Sequence, residues 1–286
     1  MRDDFAIFIC THGRPNNQHT LNMLLKANYT GRWYLVLDDT DSTIQQYIDN
    51  YNPSNIIIFN KNYYINSDVY DNGDNVLHEK CILYAKRAVE DIAKSLGLSY
   101  FAVVDDDFIK LSLRYPEDGK LKRMIVTDID SVLSAYIELL SHGITALGFG
   151  AVATYCDGVD AFDAKHLSKR YLPYQFILRN ASVDVKWTSW MAEDDVTELQ
   201  SGAVGNLWLV IPYIMQETKP IGDTTASGGM VDTYKNADTY TLNFNAVKNC
   251  PYRISLRQRK DGKLILSRKY DICFPKLISG RYRNDA

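Results

Sequence analysis

The sequence contains no apolar stretch near the roughly 20 residues that a bilayer-spanning helix needs, and its opening, MRDDFAIFIC, runs straight into a strand pattern rather than a signal peptide. A soluble, intracellular, cytoplasmic protein is therefore expected. Cysteine is scarce and scattered: Cys10, Cys81, Cys156, Cys250 and Cys273 are odd in number and show no C-x-x-C spacing. That excludes a disulfide framework and a zinc ribbon and points to buried thiols. The five histidines form no H-E-x-x-H pattern, so any metal must rest on carboxylates. Glycine and proline together supply 24 positions (16 and 8), too few for a fibrous or low-complexity chain. No glycine-rich phosphate loop follows the first strand pattern, which argues against a sugar nucleotidyltransferase.

What the chain does have is alternation of strands with helices. Phe5–Cys10 reads as a buried strand, broken by Thr11-His12-Gly13-Arg14-Pro15 before the helical spacing of Thr20–Leu25. The order repeats: a strand at Trp33–Leu37 ending in Asp38-Asp39, a helix near Ser42–Tyr51, a strand at Ile56–Phe59, a helix from about Val76 to Leu96, and a strand at Tyr100–Val104. Such alternation specifies a mainly parallel sheet flanked by helices, a Rossmann-like α/β fold. Beyond it the pattern predicts a hairpin around Glu117-Asp118-Gly119, a helix at Ile129–His142, and strands at Ala146–Thr154, Gln175–Arg179 and Leu207–Pro212. The segment Gly222–Tyr234, with Ser227, Gly228 and Gly229, is too polar and glycine-rich to build core and is expected to be a mobile loop.

The net charge of −3 conceals an asymmetry. From Lys248 onward there are 11 Lys/Arg against 3 Asp/Glu, a net +8, and the rest of the chain carries −11. Arg253, Arg257, Arg259, Lys260, Arg268 and Lys269, interleaved with aromatics, suit a phosphate-contacting surface; a solvated basic face is the alternative. The expected organisation is a nucleotide-binding half at 1–110, an acceptor-binding and catalytic half at 111–247, and a basic segment at 248–286.

The chemistry concentrates where strands end. Asp105, Asp106 and Asp107 close an apolar strand at the sheet edge where open α/β folds bind ligands. Hard oxygen donors select Mg²⁺ or Mn²⁺, and a cation held by one or two carboxylates keeps positions open for phosphates. The loop Thr11–Arg14 leaves its strand at the same edge and suits a nucleotide. Asp38 and Asp39 suit a base or ribose, or are plain turn residues. Lys86 and Arg87, on the helix before the aspartates, offer one side chain to a diphosphate, Arg87 being preferred; an exposed pair balancing Glu90 and Asp91 is the alternative. A second cluster, Glu193-Asp194-Asp195, precedes a helical pattern and can supply a general base, or simply cap that helix with Glu198 completing a box.

Together, a strand followed by T-x-G-R-P, a strand ending in DD, a basic helix, a strand ending in DDD and a later E-D cluster resemble a glycosyltransferase of the GT-A fold. More narrowly, THGRPNNQHTLNMLL, YTGRWYLVLDDTDS and AKRAVEDIAKSLGLSYFAVVDDDF resemble the TET/base-J-associated glycosyltransferases, which include phage and kinetoplastid enzymes that glycosylate hydroxymethylated pyrimidines in DNA. The resemblance implies that Thr11, Arg14 and Asp39 grip the nucleoside of a nucleoside-diphosphate sugar; Asp38, Arg87 and Asp106 are expected on the donor side as well. Asp105 would approach the ribose and share the metal with Asp107. Glu193, Asp194 and Asp195 match the base-bearing motif, with Asp194 as the base. Many GT-A enzymes add a late histidine to the metal; none follows His166 here, so the metal leans on the aspartates. The acceptor would be a hydroxymethylated pyrimidine flipped out of double-stranded DNA, in the host cytoplasm for a phage enzyme. A GT-A transferase with a non-DNA acceptor and a catalytically silent DNA-binding module are the competing readings.

Overall fold

The computed structural model describes residues 1–66, 81–155, 158–162, 175–219, 239–262 and 264–268. Their central feature is a nine-stranded sheet in the order β3-β2-β1-β4-β8-β7-β9-β5-β6. Its strands are β1 (Phe5–Cys10), β2 (Arg32–Asp38), β3 (Ile56–Phe59), β4 (Tyr100–Asp105), β5 (Phe108–Glu117), β6 (Lys120–Ile125), β7 (Ala146–Gly150), β8 (Phe176–Asn180) and β9 (Trp208–Thr218). The pairings leave only β8 and β5 running against the other strands, so the sheet is mixed and mainly parallel. That is the sheet the GT-A resemblance implied.

β1 explains the layering. It pairs in parallel with β2 and β4 and is buried along all six residues, as a central parallel strand must be. Because side chains alternate, Phe5, Ile7 and Ile9 enter one core with Leu24 of helix α1 (His19–Lys26) and Leu133 and Ile137 of α5 (Ile129–Ser141). Ala6, Phe8 and Cys10 enter the opposite core with Val89 of α4 (Leu83–Ser95) and Val196 and Leu199 of α6 (Glu193–Ala203). Fully burying a side chain such as Phe8 or Ile7 contributes roughly 1.5–3 kcal/mol each, so the two layers fix β1 from both sides. Two shorter helices, α2 (Ile44–Asn50) and α3 (Lys61–Asn66), flank the β2–β3 edge.

The strands that follow the aspartates are longer or shorter than the pattern predicted. The hairpin turns at Asp118 (φ 51°) and Gly119 (φ 68°), the two positive φ values of a type I′ connection, and its strands, expected at Leu111–Arg114 and Lys122–Met124, extend over Phe108–Glu117 and Lys120–Ile125. β5 then joins the main sheet through β9. The strand expected to reach Thr154 stops at Gly150, and Val152–Tyr155 forms a 3₁₀ turn. Two elements beyond residue 238 escaped the sequence pattern altogether: helix α7 (Thr239–Asn249) and a separate hairpin of β10 (Ile254–Gln258) and β11 (Leu264–Arg268). The residues of α7, TYTLNFNAVKN, are poor helix formers, so the helix depends on packing; Ala246, Cys250 and Ile254 lie in the same core as Val196 and Leu199. Cys10 and Cys250 are buried and Cys81 is half-buried, while Cys156 and Cys273 lie outside the described residues.

Candidate active site

The parallel strands β1, β2 and β4 deliver Thr11, Asp38 and Asp105 to one carboxyl edge. There the three aspartates separate. β4 ends at Asp105, and Asp106 and Asp107 lie in the turn that follows it. Asp106 turns back to the loop after β1, accepting Arg14 Nη1 at 2.7 Å on Oδ1 and Thr11 Oγ1 at 2.6 Å on Oδ2. Asp105 and Asp107 each keep a buried Oδ1 with no hydrogen-bond partner. Burial, with Asp106 adding repulsion, pushes the Asp107 carboxyl up to about 6, and burial drives Asp105 well above the ordinary range despite nearby Lys86. Two buried oxygens in a site that resists their ionisation form a donor set that fits a hard divalent cation. Among the described residues no three potential ligand side chains converge, so such a cation would draw its remaining ligands from substrate or water. Thr20, at the start of α1, fixes the turn: its hydroxyl donates to the Asp105 carbonyl at 2.5 Å and accepts from the Phe108 amide at 3.0 Å.

The loop after β1 is held from β2 and α2. Gly13, at φ 68°, donates its amide to Asp41 Oδ2 at 2.7 Å, and Tyr47 OH accepts the Arg14 amide at 2.9 Å while lying 2.9 Å from Thr11 Oγ1. His12 Nδ1 lies 2.9 Å from Asp38 Oδ2, and Lys61 Nζ is 3.6 Å from Asp38 Oδ1. Burial would raise the Asp38 carboxyl, but the hydrogen bonds from His12 and Thr40 outweigh it and hold it below its ordinary value. The same bond raises His12. Asp38 is thus committed to the loop. Asp39, exposed beside it, accepts the Lys61 amide at 3.0 Å and keeps a face toward solvent.

Helix α4 packs back along the sheet to precede β4, so its first turn lies at the functional edge. Lys86 is buried on its inward face, and its ammonium donates to Glu193 Oε1 at 2.8 Å and to Asp194 Oδ1. It also sits 4.9 Å from the Trp187 ring centroid. Burial alone would depress this ammonium; Asp194, Glu193 and Asp105 outweigh it and keep it charged. Burial pushes Asp194 up to about 7 against the pull of Lys86. One residue along, Arg87 is rotated to the side and donates Nε to the Trp187 carbonyl at 2.9 Å. Lys86, not Arg87, is therefore the basic side chain between the two acidic clusters. The signal for this was the α4 stripe itself: Lys86 shares a face with Leu83, Val89, Glu90 and Ala93, and a lysine inside an apolar stripe is buried. Glu90, one turn on, holds the fully buried Arg179 through two contacts of 3.2 Å and accepts Trp187 Nε1 at 3.0 Å.

Glu193, Asp194 and Asp195 do not cap α6. The cap position is Ala192, with φ 52° and no side-chain cap, and the three acids form the first turn, where the positive end of the helix favours negative charge. Successive helical residues rotate by about 100°, so Glu193 and Asp194 face Lys86 while Asp195 faces away. Asp195 accepts Arg268 through both Nε and Nη2, the latter at 2.7 Å. Arg268, expected on a DNA-contacting face, is thus half-buried and committed inside the protein. Arg257, Arg259 and Lys260 are exposed on the β10–β11 hairpin and Arg253 is half-buried before it. Lys269, Ser227, Gly228 and Gly229 lie outside the described residues. Thr20 and Tyr47 are site-forming residues that the sequence motifs did not single out, while His12 lies within the expected Thr11–Arg14 loop and Lys86 beside the preferred Arg87.

Comparison with known proteins bears on this site. The model of the TET-associated glycosyltransferase family matches residues 5–229. No curated protein matches the sequence. Among solved structures, glucosyl-3-phosphoglycerate synthase from Mycobacterium tuberculosis in complex with Mg²⁺ and UDP aligns with a TM-score of 0.48 at 7% identity, covering 93% of this chain and 86% of that one. The same synthase with Mn²⁺, UDP and phosphoglyceric acid aligns at 0.44 and 10% identity with the same coverage. A further mycobacterial protein aligns at 0.45 and 10%, covering 92% of this chain and 83% of its own. The family match spans both acidic clusters and most of the chain: the protein belongs to the TET-associated glycosyltransferase family.

Proposed function

We propose, from that family membership, that the protein transfers a sugar from a nucleoside-diphosphate sugar to the 5-hydroxymethyl group of a modified pyrimidine in double-stranded DNA, in a divalent-metal-dependent reaction. The observation that carries this reading is the pairing, across Lys86, of two buried carboxylates with partnerless oxygens and a third carboxylate poised near neutrality. Asp105 and Asp107 would hold Mg²⁺ or Mn²⁺, which when bound neutralises charge on the leaving diphosphate. Thr11, Arg14 and Asp39 line the edge where the nucleoside would sit. Asp194 takes the hydroxymethyl proton as that oxygen bonds to the anomeric carbon and the bond from carbon to diphosphate breaks. Its elevated pKa matches a base working near pH 7. Lys86 starts beside that base and within the field of Asp105, which suits it to meet the diphosphate.

A base stacked in a duplex cannot reach this edge, so the acceptor is flipped, at an unstacking cost of a few kcal/mol. Exposed Arg257, Arg259 and Lys260 supply phosphate contacts that offset that cost. In this reading residues 1–110 serve the donor, 111–247 the acceptor and the base, and the segment from 248 the DNA backbone. No described helix is long and apolar enough to cross a membrane; the reaction is assigned to the cytoplasm, that of a host cell for a phage enzyme. Incubating hydroxymethylated DNA with the protein and a panel of sugar nucleotides, then measuring nucleoside masses, tests the reading. A glycosylated hydroxymethylpyrimidine is expected. Transfer to a protein, glycan or small molecule with none to DNA would replace it with the non-DNA transferase, and no transfer to any acceptor would favour a silent binding module.

A further inference from the structure

Thr188 and Trp208, inside the family match, bond α6 at Thr197, Gln200 and Ser201, but a second set of contacts among the described residues comes from beyond that match, which ends at residue 229. Arg268, at the end of β11, grips Asp195 with two nitrogens of its guanidinium, a planar geometry that fixes direction as well as distance. Asn245 of α7, itself buried, donates Nδ2 to Ser189 Oγ at 2.6 Å, and Ser189 Oγ in turn donates to the Met191 carbonyl at 2.6 Å. That loop carries two non-glycine residues at positive φ, Ser189 (73°) and Ala192 (52°), a conformation that persists only where surrounding contacts enforce it. Gln200 Nε2 reaches the Asn249 carbonyl at 3.3 Å, and Ala246 and Cys250 pack in the same core as Val196 and Leu199. The helix bearing Glu193 and Asp194 is thereby gripped on two sides, by Lys86 toward the aspartates of β4 and by residues 239–268 away from them.

We propose that the segment 239–268 is a clamp that sets the position of the Glu193–Asp194 pair, with Arg268 as the positioning residue and Asp195 as its anchor. The inference rests on the reading of Asp194 as the base, and it divides the cluster: Asp195 is the structural acid. It also divides the basic segment, since Arg268 acts inward while Arg257, Arg259 and Lys260 act outward.

The test compares Arg268→Gln, Arg268→Lys, Asp195→Asn and the double variant Asp195→Asn/Arg268→Gln, using transfer to hydroxymethylated duplex DNA together with hydrogen–deuterium exchange of residues 189–196 in the substrate-free protein. Arg268→Gln should lower kcat on the order of tenfold, short of the ~10² that a 1 Å misplacement can cost, with the KM for donor and for DNA within about twofold. Arg268→Lys should recover part of the loss, and the double variant should be no worse than the poorer single one, because the two residues act through one contact. Exchange across 189–196 should quicken in Arg268→Gln and Asp195→Asn alike. A raised KM for DNA at unchanged kcat would overturn the clamp in favour of a DNA contact, as would multiplicative losses in the double variant or unaltered exchange across 189–196. If the unmodified protein transfers nothing to DNA, the proposed function fails on its own, and the exchange arm still decides the clamp.

Discussion

Two runs of three acids, Asp105-Asp106-Asp107 at the end of β4 and Glu193-Asp194-Asp195 at the start of α6, face each other across Lys86, and each gives one of its members to an arginine. In the first the turn that follows β4 sends the middle residue backward, so Asp106 meets Arg14 while Asp105 and Asp107 keep buried oxygens with no partner. In the second the helix's rotation sends the last residue backward, so Asp195 meets Arg268 while Glu193 and Asp194 meet Lys86. The same composition therefore yields different divisions of labour, set by backbone geometry. Consecutive carboxylates need not share a role, and the arginine that neutralises the odd one ties the site to a distant stretch of chain.

The sharpest break in this comparison is at Asp107. Asp107→Ala should abolish transfer while the fold remains, and EDTA should reproduce the loss; full activity in EDTA would remove the cation from the β4 cluster. Next comes acidity. If Asp194 is the base, its ionised form is required, so at saturating donor and DNA the rate should rise with pH to a plateau above about 7 and fall roughly tenfold per unit below it. A rate independent of pH from 5 to 8 would contradict the role. Asp106→Asn probes the backward-facing acid of the first run. Losing charge-assisted bonds to Arg14 and Thr11, worth about 1.5–3 kcal/mol each, should raise the donor KM roughly tenfold or more with kcat less affected. An equal fall of kcat and kcat/KM at fixed donor KM would instead place Asp106 in the transition state. The smallest effect lies outside both clusters: reversing Arg257, Arg259 and Lys260 to Glu should weaken DNA binding and flatten its salt slope by about 0.9 per lost phosphate contact. Unchanged affinity at low and high salt would leave the hairpin a solvated face.

Legibility followed the same divide between local and distant contacts. β1 through β4 and the helices α1, α2 and α4 could be read because each strand is an uninterrupted apolar run closed by a turn signal, and the edge they share follows from parallel topology; the short α3 was not expected. The acidic runs were visible as runs, but the division inside each depends on partners 92 and 73 residues away, which no local pattern encodes. Lys86 and Arg87 were both in view with Arg87 preferred, and only Lys86 falls on the buried stripe of α4. Helix α7 and the β10–β11 hairpin were illegible for a thermodynamic reason: their residues have weak intrinsic preference and are held by burial against α6.

The central claim is that Asp194 works on the acceptor while its neighbour Asp195 holds the helix in place. Single-turnover transfer from a saturating sugar nucleotide to hydroxymethylated duplex DNA, measured for Asp194→Asn and Asp195→Asn side by side, tests it most directly. The account predicts a loss of roughly 10²–10⁴ in the chemical rate for Asp194→Asn, the usual worth of a general base, and a loss nearer tenfold for Asp195→Asn, with donor affinity preserved in both. A large loss confined to Asp195→Asn, or equal rates in the two variants, would contradict it.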